Sequence, residues 1–549
     1  MMNKKSMTAK FMATVLALTS LVGGLSACDK SNEFDDSATT LEIYATDSGY
    51  GIEWLNTCIA NFEAANPDIN VEFWSEKGET GRALSMMTAG PSNTTTDLIF
   101  TEENFYEYQY KGASVAFGYD NLFADLTDIY EAKIPGENKT MKEKMRPELL
   151  DAFGVEEENE DGTWSDHYYF TSWAAPVSSM VYNETLLKAA NLEVPKTTDE
   201  MITMFKTYRD ANTNAQGEIE KYGFVCSTSV SYLQYLSNAF WAQYDGYNKY
   251  TNYYEGQNEE GEYTHEIFNT KGKLYNLMVM DELENMDNGY CDPRSIEYQY
   301  TEAQMQLVTG KALMIPCGDW FENEMAEMIK KSGKNYTFKM MRIPVVSALS
   351  DRLSYWDLDM DYEAAVTSGA HKSTLAEYDE KLSAIIAYVD GETTQKPAFA
   401  TNEDIAIVRE ARSLVMSLAD LHCAVIPSWA TAMAPAKKFL QYLATDEANK
   451  IVMQATNGGM FPYEYDWFGD NQLTLTEFQK SKIDIWNASK ILKSQEIQKG
   501  SWLLGLGEYA FSTKFFQRNQ DYHTPREVYE SGFMTELEFK QALQSGGLL

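Results

Sequence analysis

The fold can first be predicted from residues 41–49, which read Leu41-Glu42-Ile43-Tyr44-Ala45-Thr46-Asp47-Ser48-Gly49. Its apolar and polar residues alternate up to Thr46, which is typical of a strand with one buried face, and the Asp-Ser-Gly that follows is typical of a loop. Apolar residues then recur at helical spacing, at Ile52, Leu55, Ile59 and Phe62. The pattern therefore predicts a strand, a loop and a helix.

The same alternation continues toward residue 100. Asn66-Pro67-Asp68 ends the first helix, and the alternating Ile69-Asn70-Val71-Glu72-Phe73 predicts a second strand. A second helix is predicted through residues 82–89, and the apolar stretch 97–100 predicts a short buried strand. Strands that alternate with helices through short loops predict an α/β fold, with a parallel sheet covered by helices on both faces.

Polar residues follow each of these strands, in the loops that line the ligand crevice of a parallel sheet. These loops contain Asp47, Ser48, Ser75, Glu76, Thr101, Glu102, Glu103 and Asn104. Ordinary solvated turns use the same residue types, so that alternative stays open for each of them. The residues predicted to hydrogen-bond a ligand are Asp47, Ser48, Glu102 and Asn104.

The N-terminus of the chain indicates export. Three lysines precede an apolar run over residues 11–25 that is short for a membrane span, which is typical of a secretory signal. The run ends in Leu25-Ser26-Ala27-Cys28, which resembles the lipobox of bacterial lipoproteins. The resemblance implies a signal peptide at 1–27 and a lipid on Cys28, with an ordinary signal peptide as the alternative. Residues 28–40 are polar and acidic and predict a flexible tether.

Composition predicts a large protein that lies outside the cytoplasm. About 520 residues remain after the signal, enough for two or three hydrophobic cores. The net charge is −37 for the whole chain and about −40 without the lysines of the signal, and such a surface repels nucleic acid and anionic lipid. No later apolar run has membrane-spanning length, so we expect attachment to the extracytoplasmic face of the cell membrane through the lipid alone.

Residue motifs argue against a metal, a cofactor and catalysis. The five cysteines besides Cys28 lie far apart, so we expect buried free thiols, no metal and no cofactor. The sequence lacks His-Glu-x-x-His, Gly-x-Ser-x-Gly and Gly-x-x-x-x-Gly-Lys-Ser/Thr. We therefore predict a protein that is not an enzyme. A glycoside hydrolase stays open, because 82 acidic residues can supply a pair of carboxylates.

Aromatic residues beside polar ones indicate a carbohydrate ligand. The C–H faces of sugar rings pack on aromatic side chains, while the hydroxyls bond to carboxylates and amides. The residues predicted to stack on a sugar or to bond it are Trp173, Tyr232, Trp241, Asp319, Trp320 and Trp429. Packing in a core is the alternative for each tryptophan.

Three blocks of sequence resemble one protein family. They are Val181-Tyr182-Asn183 with Pro195-Lys196-Thr197, Gly310-Lys311-Ala312-Leu313-Met314 with Gly318-Asp319-Trp320, and residues 429–445 with Gly458-Gly459. The blocks resemble the extracellular solute-binding proteins of the family 1 type. These proteins are the sugar-binding components of ABC importers and include the maltodextrin-binding proteins. Glu184 and Thr198 depart from the family pattern, and residues 347–421 match no part of it.

The resemblance implies a two-lobed, periplasmic-binding-protein-like α/β fold whose discontinuous lobes close on a ligand at a hinge cleft. The N-terminal lobe would comprise 41–120 plus 422–470, and the C-terminal lobe 121–421 plus 471–549. The implied function is that of a monomeric, lipid-anchored receptor that captures a carbohydrate, in particular an oligosaccharide, and delivers it to ABC permease subunits. A surface-anchored glycoside hydrolase and a receptor for peptides or a phosphorylated polyol remain alternatives.

Overall fold

The computed structural model describes residues 39–77, 81–92, 94–103, 121–159, 161–227, 232–493, 524–545 and 548. The predicted signal peptide, Cys28 and most of the predicted tether lie outside these residues, as does Asn104. The strands β1 to β13 of the described part are, in chain order, Thr39–Asp47, Ile69–Lys77, Leu98–Thr101, Gly154–Glu158, Trp164–Tyr168, Phe170–Ser172, Ser178–Asn183, Tyr222–Phe224, Ala312–Gly318, Phe338–Met341, Leu414–Met416, Cys423–Val425 and Lys490–Leu492.

Helices connect and cover these strands. The helices α1 to α21 of the described part are Glu53–Ala65, Arg82–Ala89, Thr127–Glu131, Met141–Lys144, Pro147–Phe153, Glu184–Ala189, Thr198–Ala211, Leu233–Asp245, Tyr247–Glu255, Lys271–Glu284, Tyr300–Val308, Phe321–Glu324, Ala326–Ser332, Tyr362–Ser368, Lys372–Val389, Asn402–Ser413, Met433–Leu443, Asp446–Ala455, Glu477–Ala488, Pro525–Ser531 and Glu536–Ser545. None of these helices is long and apolar enough to cross a membrane.

The first sheet has the strand order β2-β1-β3-β12-β6. Strand β1 is parallel to both neighbours, with Ile43 opposite Phe73 of β2 and Leu98 of β3. Leu41 and Ile43 are fully buried, because the alternating pattern places both on one face of the sheet. The predicted parallel packing of the first three strands is confirmed. Strand β12 then adds an antiparallel pairing with both β3 and β6.

Helix α1 packs the apolar face that its spacing predicts. Leu55, Cys58 and Phe62 are buried on that face, and the ring of Phe62 lies 5.0 Å from that of Phe439 in α17. Full burial of one such side chain stabilises the fold by about 2 kcal/mol. The apolar face of α1 thus holds the N-terminal strands against helices that come from much later in the chain.

The second sheet has the order β13-β11-β7-β9-β8, and β10 also pairs with β7. Strand β7 is buried along its whole length and lies antiparallel to β9 and β10. Strand β9 ends at Gly318, where a Cβ atom would lie 2.0 Å from the ring of Trp320. Glycine at this position therefore allows the indole to fold back over the end of the strand.

The chain passes between the two sheets more than once. Strand Phe170–Ser172, which the predicted boundaries placed in the C-terminal lobe, pairs with β12 in the first sheet. A strand of three residues shows no period of its own, and its partner lies far along the chain, so the sequence carries no signal for this pairing. We propose that the lobes follow the sheets, with crossings between Ser172 and Ser178, between Met416 and Cys423 and between Val425 and Lys490.

Residues 347–421 supply helices α14 to α16 and strand β11 of the second sheet, and a charge cluster joins them to the segment after β10. The guanidinium of Arg412, at the end of α16, donates to Asp390 Oδ2 from Nε at 3.0 Å and from Nη2 at 2.9 Å. Arg342, which follows β10, donates to Asp390 Oδ1 at 2.9 Å. Asp390 thereby joins the end of α15 to both neighbouring segments.

Replacing Asp390 tests this anchor. We expect Asp390→Ala to lower the free energy of unfolding by about 3 kcal/mol, because it leaves two arginines, one of them buried, without their counter-charge. Glu392→Ala is the matched control, since Glu392 is half exposed and pairs with Lys196 at 3.1 Å, an interaction of below about 1 kcal/mol. Thermal melting compares the stability of the two variants. If both lost the same free energy of unfolding, Asp390 would not be an anchor.

Candidate functional site

The loops that follow β1 and β9 face each other and form what we call the intersheet site. From the first sheet it includes Ser48, Gly49, Tyr50, Glu102, Trp173 and His422, and from the second Tyr232, Asp319, Trp320, Asn323, Glu324 and Lys482. The amide of Asn323 donates to the carbonyl of Gly49 at 2.8 Å. A Cβ atom on Gly49 would lie 3.2 Å from Glu324 Oε1. Glycine therefore permits this close approach of the two loops.

A buried ion pair lies at the centre of the site. Lys482 Nζ, on helix α19, is 2.7 Å from Asp319 Oδ2, and neither side chain has any exposed surface. The hydroxyl of Tyr50 donates to the other oxygen of Asp319 from the opposite loop. Burial and the Asp319 charge raise the pKa of Tyr50 well above its usual value, so Tyr50 stays a hydrogen-bond donor. Each carboxylate oxygen of Asp319 therefore has a hydrogen-bond donor, one from each side of the site.

Aromatic rings surround this ion pair. The ring of Tyr50 lies 6.2 Å from that of Trp173 and 6.5 Å from that of Trp320, nearly perpendicular to both. Trp173 Nε1 donates to the carbonyl of Thr101 at 2.9 Å, and Trp320 Nε1 donates to the Tyr232 hydroxyl at 3.1 Å. Because each indole N–H is bonded, the orientations of both tryptophans are held by the fold.

A second charged pair lies on the first-sheet side. Glu102 accepts a hydrogen bond from the Ser48 hydroxyl, and one of its oxygens lies 3.3 Å from His422 Nε2. Burial opposes the charge on Glu102, but the bond and charge of His422 lower its pKa overall. Burial likewise opposes the charge on His422, and Glu102 raises its pKa overall. His422 Nδ1 is 2.8 Å from the carbonyl of Leu418, which suits a doubly protonated imidazolium.

Glu324 supplies a carboxyl group of different character from the opposite loop. Burial and the nearby charge of Glu102 raise its pKa to about 7, although Gln304 donates to it at 2.7 Å. The site therefore combines an ionised carboxylate on one side with a carboxyl that takes up a proton near neutral pH on the other. Such a pair can accept hydrogen bonds from hydroxyl groups and can donate hydrogen bonds to them.

The structure brings together six of the predicted ligand-binding residues, which are Ser48, Glu102, Trp173, Tyr232, Asp319 and Trp320. Asp47 ends β1 opposite Lys77 and is partly exposed. Trp429 is partly buried in the turn after β12. Asn104 lies outside the described residues.

Trp241, predicted to stack on a ligand, does not join this site. It is fully buried in α8, where its Nε1 donates to Asp245 at 2.9 Å. Its ring packs against Tyr250 and Tyr253 of α9 at centroid distances of 4.8 and 4.9 Å. Core packing, the alternative for this residue, accounts for its position.

Six residues of the site were missed from the sequence, namely Gly49, Tyr50, Asn323, Glu324, His422 and Lys482. Tyr50 and Glu324 could have been predicted from the sequence, since each lies close to a predicted site residue in the same loop. Lys482 carries no local signal, because its partner Asp319 is 163 residues away. His422 is a single histidine whose role depends on the distant Glu102.

Comparison with known proteins gives a family match. A family model described as bacterial extracellular solute-binding protein matches residues 48–345, more than half of the chain. No curated protein matches the chain. Among the residues that the structure describes, no group of three or more His, Cys, Asp or Glu is placed to hold a metal ion.

Several solved structures share the fold along nearly the whole chain. A chitin oligosaccharide binding protein is 13% identical, with a TM-score of 0.56 and coverage of 93% of this chain and 100% of that one. An ABC substrate-binding protein from Listeria monocytogenes in complex with cycloalternan is 15% identical, with a TM-score of 0.54 and the same coverages. A maltose/maltodextrin-binding domain from Bdellovibrio bacteriovorus bound to maltotriose is 14% identical, with a TM-score of 0.52 and coverages of 92% and 100%. The predicted two-lobed α/β fold is confirmed.

The proton on Glu324 gives a pH dependence. Because its pKa is raised from 4.5 to about 7, the folded chain keeps a proton that the unfolded chain has lost between these values. Stability therefore falls as pH rises through this window, by up to about 3 kcal/mol. Glu324→Gln removes this loss, so its melting temperature should rise relative to that of the unmodified chain between about pH 4.5 and pH 8.

Glu327→Gln is the control for this experiment, because Glu327 is exposed in the following helix, where it pairs with Lys331. Its melting temperature relative to the unmodified chain should not change with pH. If both variants followed the same pH profile, the assignment of the proton to Glu324 would be wrong.

Proposed function

The chain belongs to the bacterial extracellular solute-binding proteins, and on that basis we propose that it binds a carbohydrate, specifically an oligosaccharide, and delivers it intact to an ABC permease. The intersheet site carries this proposal. Trp173, Trp320 and Tyr50 are buried in this state, and we propose that their flat faces receive the C–H faces of sugar rings when the lobes separate. Glu102 and Asn323 offer the acceptors and donors that sugar hydroxyls need.

The relatives support the same ligand class. The similar structures named above are a chitin oligosaccharide binding protein and complexes with cycloalternan and maltotriose. All three ligands are oligosaccharides. Sequence identity to these proteins is 15% or less. Their ligands therefore indicate a class of sugar, and the particular sugar depends on the side chains of this chain.

Closure of one lobe on the other is the proposed mechanism. A ligand that contacts both lobes makes all of its bonds only when they are close, so binding shifts the population toward the closed state. The Tyr50–Asp319 and Asn323–Gly49 hydrogen bonds already join the two sides. We propose that an open state loses these bonds and that the permease recognises the closed state.

The proposed attachment follows from the lipobox-like sequence. A lipid on Cys28 would hold a monomeric receptor at the outer face of the cell membrane, with residues 29–40 as the tether. This arrangement keeps the binding lobes near the permease while leaving them free to close.

Thermal melting against saccharides tests the ligand class. An oligosaccharide at about a hundred times its dissociation constant should add roughly 2.7 kcal/mol to the free energy of unfolding. Trp320→Ala should weaken its binding by about tenfold or more in calorimetric titrations, because a stacking face is lost. Trp164→Ala is the control, since this tryptophan is 61% exposed on β5, outside the intersheet site, and it should bind normally.

The same experiment examines the alternatives. The sugar must be recovered intact, because cleavage would favour a hydrolase that uses a carboxylate pair such as Glu102 and Glu324. Stabilisation by peptides or glycerol phosphates, and not by any saccharide, would replace the carbohydrate proposal with one of the other receptor classes. Normal affinity in Trp320→Ala would remove the intersheet site from the proposal.

Replacing Cys28 tests the membrane anchor. In cells fed labelled fatty acid, the unmodified protein should carry label and remain with membranes, whereas Cys28→Ser should lose both properties. Cys58→Ser, which removes a buried thiol of α1, is the control and should keep the label. A labelled Cys28→Ser protein would contradict lipidation at this residue.

A further inference from the structure

A cavity of about 550 Å³ lies beside the second sheet, between helices α7, α10, α14 and α15. None of the intersheet residues defined above lines it. Its volume falls in the range of sites that bind small molecules. The cavity is therefore a candidate second site, separate from the one proposed for sugar.

Part of the wall comes from beyond the region that matches the family. Helices α7 and α10 lie within residues 48–345, which the family model matches. Helices α14 and α15, which contribute Tyr362, Val366, Lys372 and Asp379 among others, lie beyond it. Part of the cavity wall therefore comes from residues outside the range that the family model matches.

The wall is negatively charged and otherwise largely apolar. Five carboxylates and one ammonium line it, the acids being Asp199, Glu200, Glu282, Asp379 and Glu380 and the base Lys372. Apolar side chains form much of the rest, including Ile202, Met278, Val279, Val346, Val366 and Leu375. This combination favours a positively charged group attached to an apolar body.

Asp379 is the polar group that most needs a partner. Asp379 is only 9% exposed, and its Oδ2 accepts a hydrogen bond from the Thr197 hydroxyl at 2.8 Å. Its Oδ1 is buried and makes no hydrogen bond of good geometry among the described residues, although Ser347 lies near enough to lower the pKa of Asp379 slightly against the effect of burial. Leaving a buried carboxylate oxygen unsatisfied is unfavourable. A donor that enters the cavity would remove that cost.

Asp199 adds a second carboxylate to the same wall. Its two oxygens each lie 3.3 Å from the hydroxyl of Tyr362. Burial raises the pKa of Asp199, and burial together with the charge of Asp199 raises that of Asp379 to about 7. The two acids therefore repel each other, and a cation between them would relieve the repulsion.

We propose that this cavity binds a small organic cation, with an ammonium group bonded to Asp379 and Asp199 and an apolar body against the helices. The rings of Tyr275 and Tyr362, 5.8 Å apart and nearly perpendicular, add faces that attract an ammonium group. A metal ion fits less well, because no metal-binding group of three ligands occurs in the described part of the chain and the walls are apolar.

Calorimetric titration with 2-phenylethylamine at neutral pH tests the proposal. The control ligand is 2-phenylethanol, which has the same apolar body but no positive charge. The purified protein should bind the amine at one site and the alcohol at least about tenfold more weakly. Saturating sugar should leave amine binding unchanged, so this result stands or falls separately from the carbohydrate proposal. Equal binding of amine and alcohol, or binding of Mg²⁺ or Ca²⁺ with none of the amine, would overturn the organic-cation site.

Two variants locate the bound amine. Asp379→Asn keeps the shape of the side chain and should weaken amine binding by about tenfold or more, since it removes the counter-charge. Glu377→Gln, on the same helix but outside the cavity wall, should bind normally. If Asp379→Asn fails to fold, Ala376→Phe, which fills the cavity from an exposed position of its wall, should abolish binding. Unchanged affinity in the variant that folds would place the amine elsewhere.

Discussion

The ion pair between Asp319 and Lys482 is the interaction on which the two halves of the intersheet site depend. Both side chains are fully buried, and an ion without its partner at such a position is strongly unfavourable. Asp319 must therefore stay between Lys482 of its own side and the Tyr50 hydroxyl of the other. This requirement holds the loop after β9 against α19 and directs it toward the loop after β1.

The remaining chemistry of the site is arranged around that constraint. Trp173 and Trp320 stand on either side of Tyr50 with their N–H groups already bonded within the protein, so their faces are held in place. Glu102 is kept ionised by His422, whereas Glu324 takes up a proton near neutral pH. Under the proposed closure these carboxyl groups would come together, and closure would then be linked to proton uptake by Glu324.

Residues 347–421, which lie beyond the range that the family model matches, give the chain a second feature besides the intersheet site. The cluster of Arg342, Asp390 and Arg412 joins α15 and α16 to the segment after β10. Because α14 and α15 do not fill the space beside α7 and α10, a cavity with its own charge pattern remains there. The residues of the intersheet site come from other segments.

Local sequence patterns were enough to predict the first elements and several of the loops at the site. The alternation from Leu41 to Phe100 predicted three parallel strands and their helices, and the family-like block at Gly318-Asp319-Trp320 placed two site residues. The folded structure was needed to show that Lys482 pairs with Asp319, that Phe170–Ser172 joins the first sheet and that Trp241 lies in a core. Local periodicity reports which face of an element is buried. It does not report which distant element covers that face, because contacts between residues far apart in the chain follow from packing of the whole fold.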